Sequence, residues 1–522
     1  VARKALFLFA ALILGAVLLL PRTDKLYEAL WEDEVHYHQP ALEAQDLHDL
    51  RYSIQEVFKP CLDFALRRWV WFSPAGLQVN ERNLGLLSLI FAGLHLALWL
   101  FVPWTSSGAL RLSAALLLGL CPVEIANSTD AQGYAFYSLA SALVLGGFWL
   151  SRRSLDEGHP GSAWLWVLAS LALGLNLHFF LWPWLGLLAL LLLRQSMPGR
   201  LQGSWRLFFL AAAGLAVVAA LTLWANKPSL GHLLTHPPAA NAVMHWAWRD
   251  AAAILSQAWS WFGLPAWIFW LLALPGAWHP EKPQRWLWRA CFLGLFPVKY
   301  ALTLLLMAKS SYPVADRYFI FYVAPALLLL GLGADAWVRR GGSRAYQAAY
   351  ALLLILVLSR AQVLAQQAAA AWPGAQRLAQ SPANSSPTFQ LFEAAKATGR
   401  PLLVLGDHAW ALDLPQFYLR HLGQAPKSVP LVLSTTGRQE TSLQALRQSL
   451  REFRAMSASA GTLLFFYDRP TEAALIPCPD SKAFAMREPS LPCAGIVKAA
   501  LNAALLDRAL KGLPAQLPES RP

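Results

Sequence analysis

Charge is scarce in this chain of 522 residues. Only 14% are Asp, Glu, Lys or Arg, and the acidic residues number 30 against 43 basic ones. Scarcity on that scale excludes the two or three soluble domains that the length would otherwise allow. Cysteine is also rare, with five spread thinly and no CxxC spacing, which excludes a zinc-ribbon type of metal site. There is no glycine-rich phosphate loop and no internal repeat. What the chain has instead is apolar mass: 56% hydrophobic residues, 24 tryptophans and a mean hydropathy of +0.39. Such a chain belongs in a lipid bilayer. Its net charge of +13 would suggest nucleic acid in a soluble protein. Here the basic residues cluster between apolar runs, so the charge reads as topological and no nucleic-acid partner is expected.

A membrane span needs roughly 17–25 mostly apolar residues. On that criterion eleven spans are predicted, near 5–20, 84–103, 108–126, 134–150, 163–177, 179–193, 206–225, 251–276, 287–308, 318–338 and 346–365. The fifth and sixth are short, and Asn176–His178 alone separates them, so they read as one hairpin or a re-entrant pair. With a cytoplasmic N-terminus, the short segments on the cytoplasmic side carry fourteen Lys and Arg, Arg3, Lys4, Arg111, Arg152, Arg153, Arg339 and Arg340 among them. The opposite short loops carry four: Lys227, Arg249, Lys309 and Arg317. That bias follows the positive-inside rule, and an odd span count places the C-terminus outside. The first run, Ala5 to Leu20 behind Arg3 and Lys4, ends in VLLLPRTD without a small-residue cleavage site and reads as a retained signal anchor.

Two segments fall outside this pattern. Residues 21–83 form a long outer loop in which LEAQDLHDLRYSIQEVFKPCLDFALRRWVWF has apolar residues at helical spacing, suited to amphipathic helices lying along the interface. The membrane domain is drawn as 1–370, followed by a linker, 371–387, that contains QSPANSSPT. Residues 388–522 then change character. PLLVLGD, VPLVLSTT and TLLFFYDRP are strand candidates alternating with helical segments such as SLQALRQSLREFRAM, which predicts a small extracytoplasmic α/β domain. Cys478 and Cys493 lie in it, in a compartment that permits a disulfide, although spacing alone does not pair them. The expected fold class is an all-α polytopic membrane protein with a small C-terminal α/β domain.

The densest acidic cluster, WEDEVHYHQP at residues 31–40, lies just outside the first span. Glu32, Asp33 and Glu34 admit two readings. They start an amphipathic helix, where carboxylates favour the N-terminal dipole, or they supply a general base or metal ligand at the membrane surface. His36 and His38 suit the interface as well as they suit a ligand. Lys299, near the middle of the ninth span in LFPVKYALT, is an intramembrane ionisable group and so a functional candidate, with Pro297 breaking the helix beside it; a span drawn in the wrong place is the alternative. His178 faces the same outer side, or is structural.

The run Asp33-Glu34-Val35-His36-Tyr37 resembles the DEVHF-type motif in the first outer loop of protein O-mannosyltransferases, and the bacterial lipid A aminoarabinose transferases carry an acidic residue in the same loop. These belong to the GT-C superfamily (glycosyltransferase family 39). ERNLGLLSLIFAGL resembles the family's entry into its second span. CPVEIANSTDAQGYAFYSLAS resembles the second outer loop, where an acidic residue precedes an Ala-Arg-x-Tyr-like sequence, and DRYFIFYVAPALLLLG resembles the Arg-Tyr opening of a late span. The likeness covers roughly residues 1–340. Gln132 stands where relatives often carry arginine, while Asp130 and Tyr134 match.

This resemblance implies a membrane glycosyltransferase that moves a monosaccharide from a polyprenyl-phosphate carrier to a lipid, protein or envelope-glycan acceptor by inverting displacement. Its place would be the bacterial inner membrane. Asp33 is expected as the base with Glu34 as helper, and Arg317 as the phosphate ligand with Lys309 second; both cations also suit ordinary interfacial charges. Asp130, Tyr134, His178, Lys299 and Tyr318 complete the expected substrate site, and a divalent ion such as Mg or Mn would lie between Asp33 and Asp130. A transporter or flippase is one rival, and it should show ionisable residues or broken helices repeated in two halves. A scaffold that keeps the spans but not the chemistry is the other, and Gln132 keeps it open.

Overall fold

A computed structural model of the chain describes residues 2–23, 26, 32–54, 62–72, 79, 81–105, 107–128, 133–196, 205–235, 255–302, 316–380, 402–406, 417, 420, 431–435, 461–467 and 495–501. It divides into two compact units. One comprises Val1–Leu26, Glu43–Val70 and Gly85–Gln380; the other comprises Tyr27–Leu42, Trp71–Leu84 and Ser381–Pro522.

In chain order the helices are α1 (Ala2–Leu19), α2 (Glu32–Glu43), α3 (Leu47–Ser53), α4 (Leu62–Phe72), α5 (Glu81–Phe101), α6 (Gly108–Gly119), α7 (Pro122–Asn127), α8 (Tyr134–Asp156), α9 (Pro160–Leu175), α10 (Trp182–Ser196), α11 (Trp205–Thr235), α12 (Ala266–Ala273), α13 (Lys282–Leu293) and α14 (Val323–Gln380). Among the described residues, the helical stretches Glu81–Phe101, Tyr134–Asp156 and Phe319–Arg344 are long and apolar enough to cross a membrane. Shorter apolar helices occupy Leu6–Leu19, Gly108–Gly119, Pro160–Leu175 and Ala266–Trp278. At 1.5 Å per residue, the 21 residues of α5 reach about 30 Å, the thickness of a hydrocarbon core.

Several expected spans are interrupted, each for a visible reason. The third breaks after Leu120, because Pro122 lacks the N–H needed to continue α6 and instead starts α7. The eighth divides into a helical stretch at 255–260 and α12, with a turn and Pro265 between them. The ninth contains a π-helical turn, Gly294–Val298, around Pro297. The fifth and sixth form a helical hairpin, α9 and α10, joined by a 3-10 turn at Phe179–Leu181. The last two spans are one 58-residue helical run with a single non-helical residue, Gly342, at φ 61° and ψ −142°. That conformation suits glycine because a Cβ would clash with the backbone.

Helices α1 and α6 run in the same direction. A Cβ built on Gly108, at the start of α6, would come within 3.0 Å of the Phe7 ring near the start of α1. One on Gly119, at the other end, would come within 2.5 Å of Leu18. Small residues at both ends let the backbones approach closely, as at many membrane helix contacts. Polar pairs add specificity between α9 and α11: Asn176 donates to Thr222 Oγ1 at 3.1 Å, and Asn226 donates to Asn176 Oδ1 at 3.0 Å.

A buried clasp joins the 3-10 turn Leu274–Trp278 and the residues after it to α14. The Glu281 amide donates to His279 Nδ1 at 3.2 Å, so the ring proton sits on Nε2 and is given to Asp335 Oδ2 at 3.1 Å. Arg339 bridges Asp335 (2.8 Å) and Glu281 (2.6 Å).

In the other unit, β1 (Leu402–Gly406), β2 (Leu431–Thr435), β3 (Gly461–Tyr467) and β4 (Gly495–Leu501) form a sheet ordered β2-β1-β3-β4. The first two pairings are parallel and β3–β4 is antiparallel. The three expected strands are among the four. β4, from GIVKAAL, is an addition to the sequence reading. Cys61, Cys478 and Cys493 lie outside the described residues, while Cys121 and Cys291 are buried free thiols.

Candidate active site in the helical unit

The first turns of α8 carry Tyr134, Tyr137, Ser138 and Ser141, which at i, i+3, i+4 and i+7 share one face of the helix. All four are buried, and each meets a different partner. Tyr134 and Tyr137 stand edge to face at 6.0 Å, and Tyr137 meets the His178 ring at 5.8 Å. His178 is held in turn against Phe321 at 5.5 Å. Ser141 donates to the Phe321 carbonyl at 2.6 Å, and Ser138 donates to the Glu124 carboxylate. The α8 face thus grips α7 on one side and, on the other, the 3-10 segment Asp316–Tyr322.

That 3-10 segment has a second neighbour. Lys299, directly after the π-turn, is 1% exposed; its ammonium donates to Gln257 Oε1 at 2.5 Å and lies over the rings of Trp261 (4.5 Å) and Phe319 (5.0 Å). A π-turn re-aims the residues that follow it and is frequent at functional sites. Aromatic faces and an amide oxygen can hold a cation away from water at modest cost. Phe319 and Phe321 therefore link the lysine and the histidine through one short segment, and that segment carries Arg317 and Tyr318 on its backbone.

Behind the α8 face lies a buried polar network. Trp99 Nε1 donates to His95 Nε2 at 3.0 Å, and because an indole nitrogen only donates, His95 Nε2 carries no proton. The ring's proton is then on Nδ1, which faces Glu124 Oε2 at 3.8 Å. Arg22, just beyond α1 and 2% exposed, donates to the carbonyls of Leu18 (2.5 Å) and Gly119 (3.0 Å), the last turns of α1 and α6. Burial lowers its pKa to about 10, with Glu124 and then Cys121 acting in the opposite direction, so the guanidinium stays charged at neutral pH.

Of the residues expected from sequence, Tyr134, His178 and Lys299 are brought to the surroundings of one segment. Asp33 and Glu34 lie on α2, and Arg317 and Tyr318 on the 3-10 segment; their side chains, and all of Asp130, Gln132 and Lys309, lie outside the described residues. The sequence reading did not single out Glu124, His95, Gln257 or Arg22. The signal available for the first two was the one that exposed Lys299, an ionisable group inside an apolar run.

No protein-family profile and no curated protein matches this chain. Among solved structures it is similar to ArnT from Cupriavidus metallidurans bound to undecaprenyl phosphate, at 14% identity and a TM-score of 0.46, covering 97% of this chain and 99% of that one. It is similar to the same protein in the apo state at 14% identity and a TM-score of 0.49, covering 97% and 98%.

Proposed function

We propose that the chain is an integral-membrane glycosyltransferase of the GT-C type that transfers a monosaccharide from a polyprenyl-phosphate carrier to an extracytoplasmic acceptor, with inversion at the anomeric carbon. The observation that carries this reading is the placement of a buried lysine and a buried histidine on either side of the segment bearing Arg317 and Tyr318. Loss of a sugar from a lipid phosphate leaves a phosphate monoester, which needs cations nearby more than it needs a strong acid. Lys299 and Arg317 supply them, with Lys309 as a further candidate. His178, Tyr134 and Tyr318 line the sugar's side.

The acceptor hydroxyl or amine loses its proton to Asp33 as it attacks, with Glu34 in support, and the C–O bond to phosphate breaks in the same displacement. Asp33 and Asp130 offer hard carboxylate oxygens of the kind that hold Mg or Mn. Such an ion would neutralise phosphate charge, and no step here depends on it. The proposed setting is the bacterial inner membrane, N-terminus inside, with 388–522 as an outer α/β domain.

The test is release of polyprenyl phosphate from polyprenyl-phosphate sugars by the purified protein with a crude envelope acceptor. Asp33→Asn is expected to abolish release. Lys299→Met is expected to lower kcat/KM by about 100-fold, the scale of one lost electrostatic contact to a developing anion. Release that survives Asp33→Asn would remove Asp33 as base. No release by the wild-type protein across several donor sugars, with divalent metal present, would sink the enzyme and favour a transporter or scaffold.

A further inference from the structure

The helical stretch that opens the eighth expected span ends on a left-handed glycine. Gly263 sits at φ 60°, and two backbone bonds close the turn: the Leu264 amide donates to the Trp259 carbonyl at 3.1 Å, and the Gly263 amide to the Ser260 carbonyl at 2.9 Å. That pair of bonds is the Schellman end of a helix, and glycine suits it because a left-handed residue without a Cβ is unstrained. The Phe262 carbonyl is left without a backbone donor among the described residues. Its donor comes from far along the chain. Arg360, inside the eleventh expected span, gives an Nη2 proton to Phe262 O at 2.9 Å, and the same nitrogen lies 3.4 Å from Gly263 O. A guanidinium at a helix C-terminus is favoured by the dipole. In an apolar run it also needs such partners, because the charge and the carbonyl are both costly to leave unmatched in lipid.

The helix end that Arg360 holds carries two contacts of Lys299. Gln257 and Trp261 stand at i and i+4, so their side chains share a face, and the Trp261 amide donates to the Gln257 carbonyl at 3.2 Å. Gln257 Oε1 accepts from the Lys299 ammonium at 2.5 Å, and the Trp261 ring lies 4.5 Å from it. Trp261 directly precedes the residue whose carbonyl Arg360 holds. The rest of the eleventh span offers little to fix this end, since Ile355 and Leu358 turn exposed apolar side chains outward.

We propose that Arg360 is a positioning residue for the donor phosphate: by holding the Phe262 carbonyl it fixes the helix end on which Gln257 and Trp261 aim the Lys299 ammonium. The inference rests on the transferase reading above, in which Lys299 meets the lipid phosphate. Arg360 acts through the helix and needs no contact with the substrate. The eleventh span thereby becomes part of the support of the site.

The test is a double-mutant cycle on the full-length protein, read by release of polyprenyl phosphate from a polyprenyl-phosphate sugar and by binding of polyprenyl phosphate itself. Arg360→Met is expected to lower kcat/KM about ten-fold, through KM rather than kcat, with weaker binding of polyprenyl phosphate to match. In a Lys299→Met background the same change should cost no more than about two-fold, because the group it positions is gone. An equal ten-fold loss in both backgrounds would make Arg360 a purely structural residue and overturn the proposal. A fall in kcat with KM unchanged would overturn it as well. Where Arg360→Met does not fold, Arg360→Lys, which keeps a charge and a donor, carries the same cycle with a smaller loss. Gly342→Ala strains another left-handed glycine of the same helical run, at φ 61° and with nothing within 4 Å of its Cβ position. It should lower the unfolding midpoint and leave kcat/KM unchanged. A ten-fold loss there would show that any weakening of this helix slows the enzyme, and the specific role of Arg360 would fall. Neither binding nor release by the wild-type protein would sink the transferase reading and the phosphate role together. Binding and release by the wild-type protein with additive losses in the cycle would sink this inference alone.

Discussion

The two ends of α6 hold their arginines in different ways. At its C-terminus the Gly119 carbonyl is met by Arg22, whose charge is offset by nearby Glu124; Glu124 accepts from Ser138 and faces His95. At its N-terminus Ser107 makes no capping bond, and Arg111 lies over the Phe7 ring with no carboxylate partner among the described residues. Burial is expensive for both ends, because an unmatched polar group gives up water and gains no replacement. Each end keeps such atoms among the described residues, Arg22 Nε and His95 Nδ1 at the first, Arg111 Nε and Ser107 Oγ at the second. The first end offsets the loss with hydrogen bonds and an opposite charge, the second with an aromatic face and the apolar packing of Ala109 and Leu110 on Ala334 and Val338. The comparison teaches that polar contacts fix geometry at one end and apolar contacts fix it at the other.

The largest expected effect tests the first end. Glu124→Ala leaves Arg22 buried without its counter-charge and Ser138 without its acceptor, which should cost about 3–5 kcal/mol. The measurement is the thermal unfolding midpoint of the detergent-solubilised protein. Replacing both charges, Arg22→Met with Glu124→Leu, should cost less than Glu124→Ala alone, because no charge is stranded. If the double variant were the less stable of the two, the pair would be a net source of stability rather than a device that fixes geometry. Glu124 also starts the connection that carries Asp130, two residues beyond the end of the described segment 107–128. A change there should therefore reach the candidate site through the chain as well as through stability.

The second effect belongs to the clasp, which shares this end with the open N-terminus of α6 through the cluster Ala109, Leu110, Ala334 and Val338. His279→Ala removes the donor to Asp335 and the acceptor of the Glu281 amide, both buried or partly buried. A loss of about 2 kcal/mol is expected, read by the same unfolding midpoint. A change near zero would mean that the clasp adds nothing to the apolar packing that holds this end.

How much of this could be read in the sequence follows from the kind of contact involved. The helical character of the described residues up to 380 was legible because apolar runs of span length have few other uses. The break near Pro297 and the importance of Lys299 were legible because each is an exception visible within one run. Three of the four strands were legible as short apolar segments between turns, whereas GIVKAAL, the antiparallel edge strand, carries a lysine and two alanines and looks like no strand in particular. Glu124, His95, Gln257 and Arg22 were not legible as a group, because each acts through a partner 14 to 102 residues away in the chain; Trp99 with His95 and Leu18 with Arg22, each four apart, are the exceptions. Periodicity describes the face of one helix. It does not say which face of another helix it will meet.

The smallest expected effect separates the two ends most sharply. Removing a serine hydroxyl from a working N-cap usually costs about 1 kcal/mol. Ser107 occupies that position with extended backbone angles but makes no capping bond. Ser107→Ala should therefore change stability by no more than about 0.5 kcal/mol, read by the same unfolding midpoint, the range of substitutions that touch no used contact. A full cap-sized loss would show that the hydroxyl already serves α6, and that polar contacts hold this end as they hold the other.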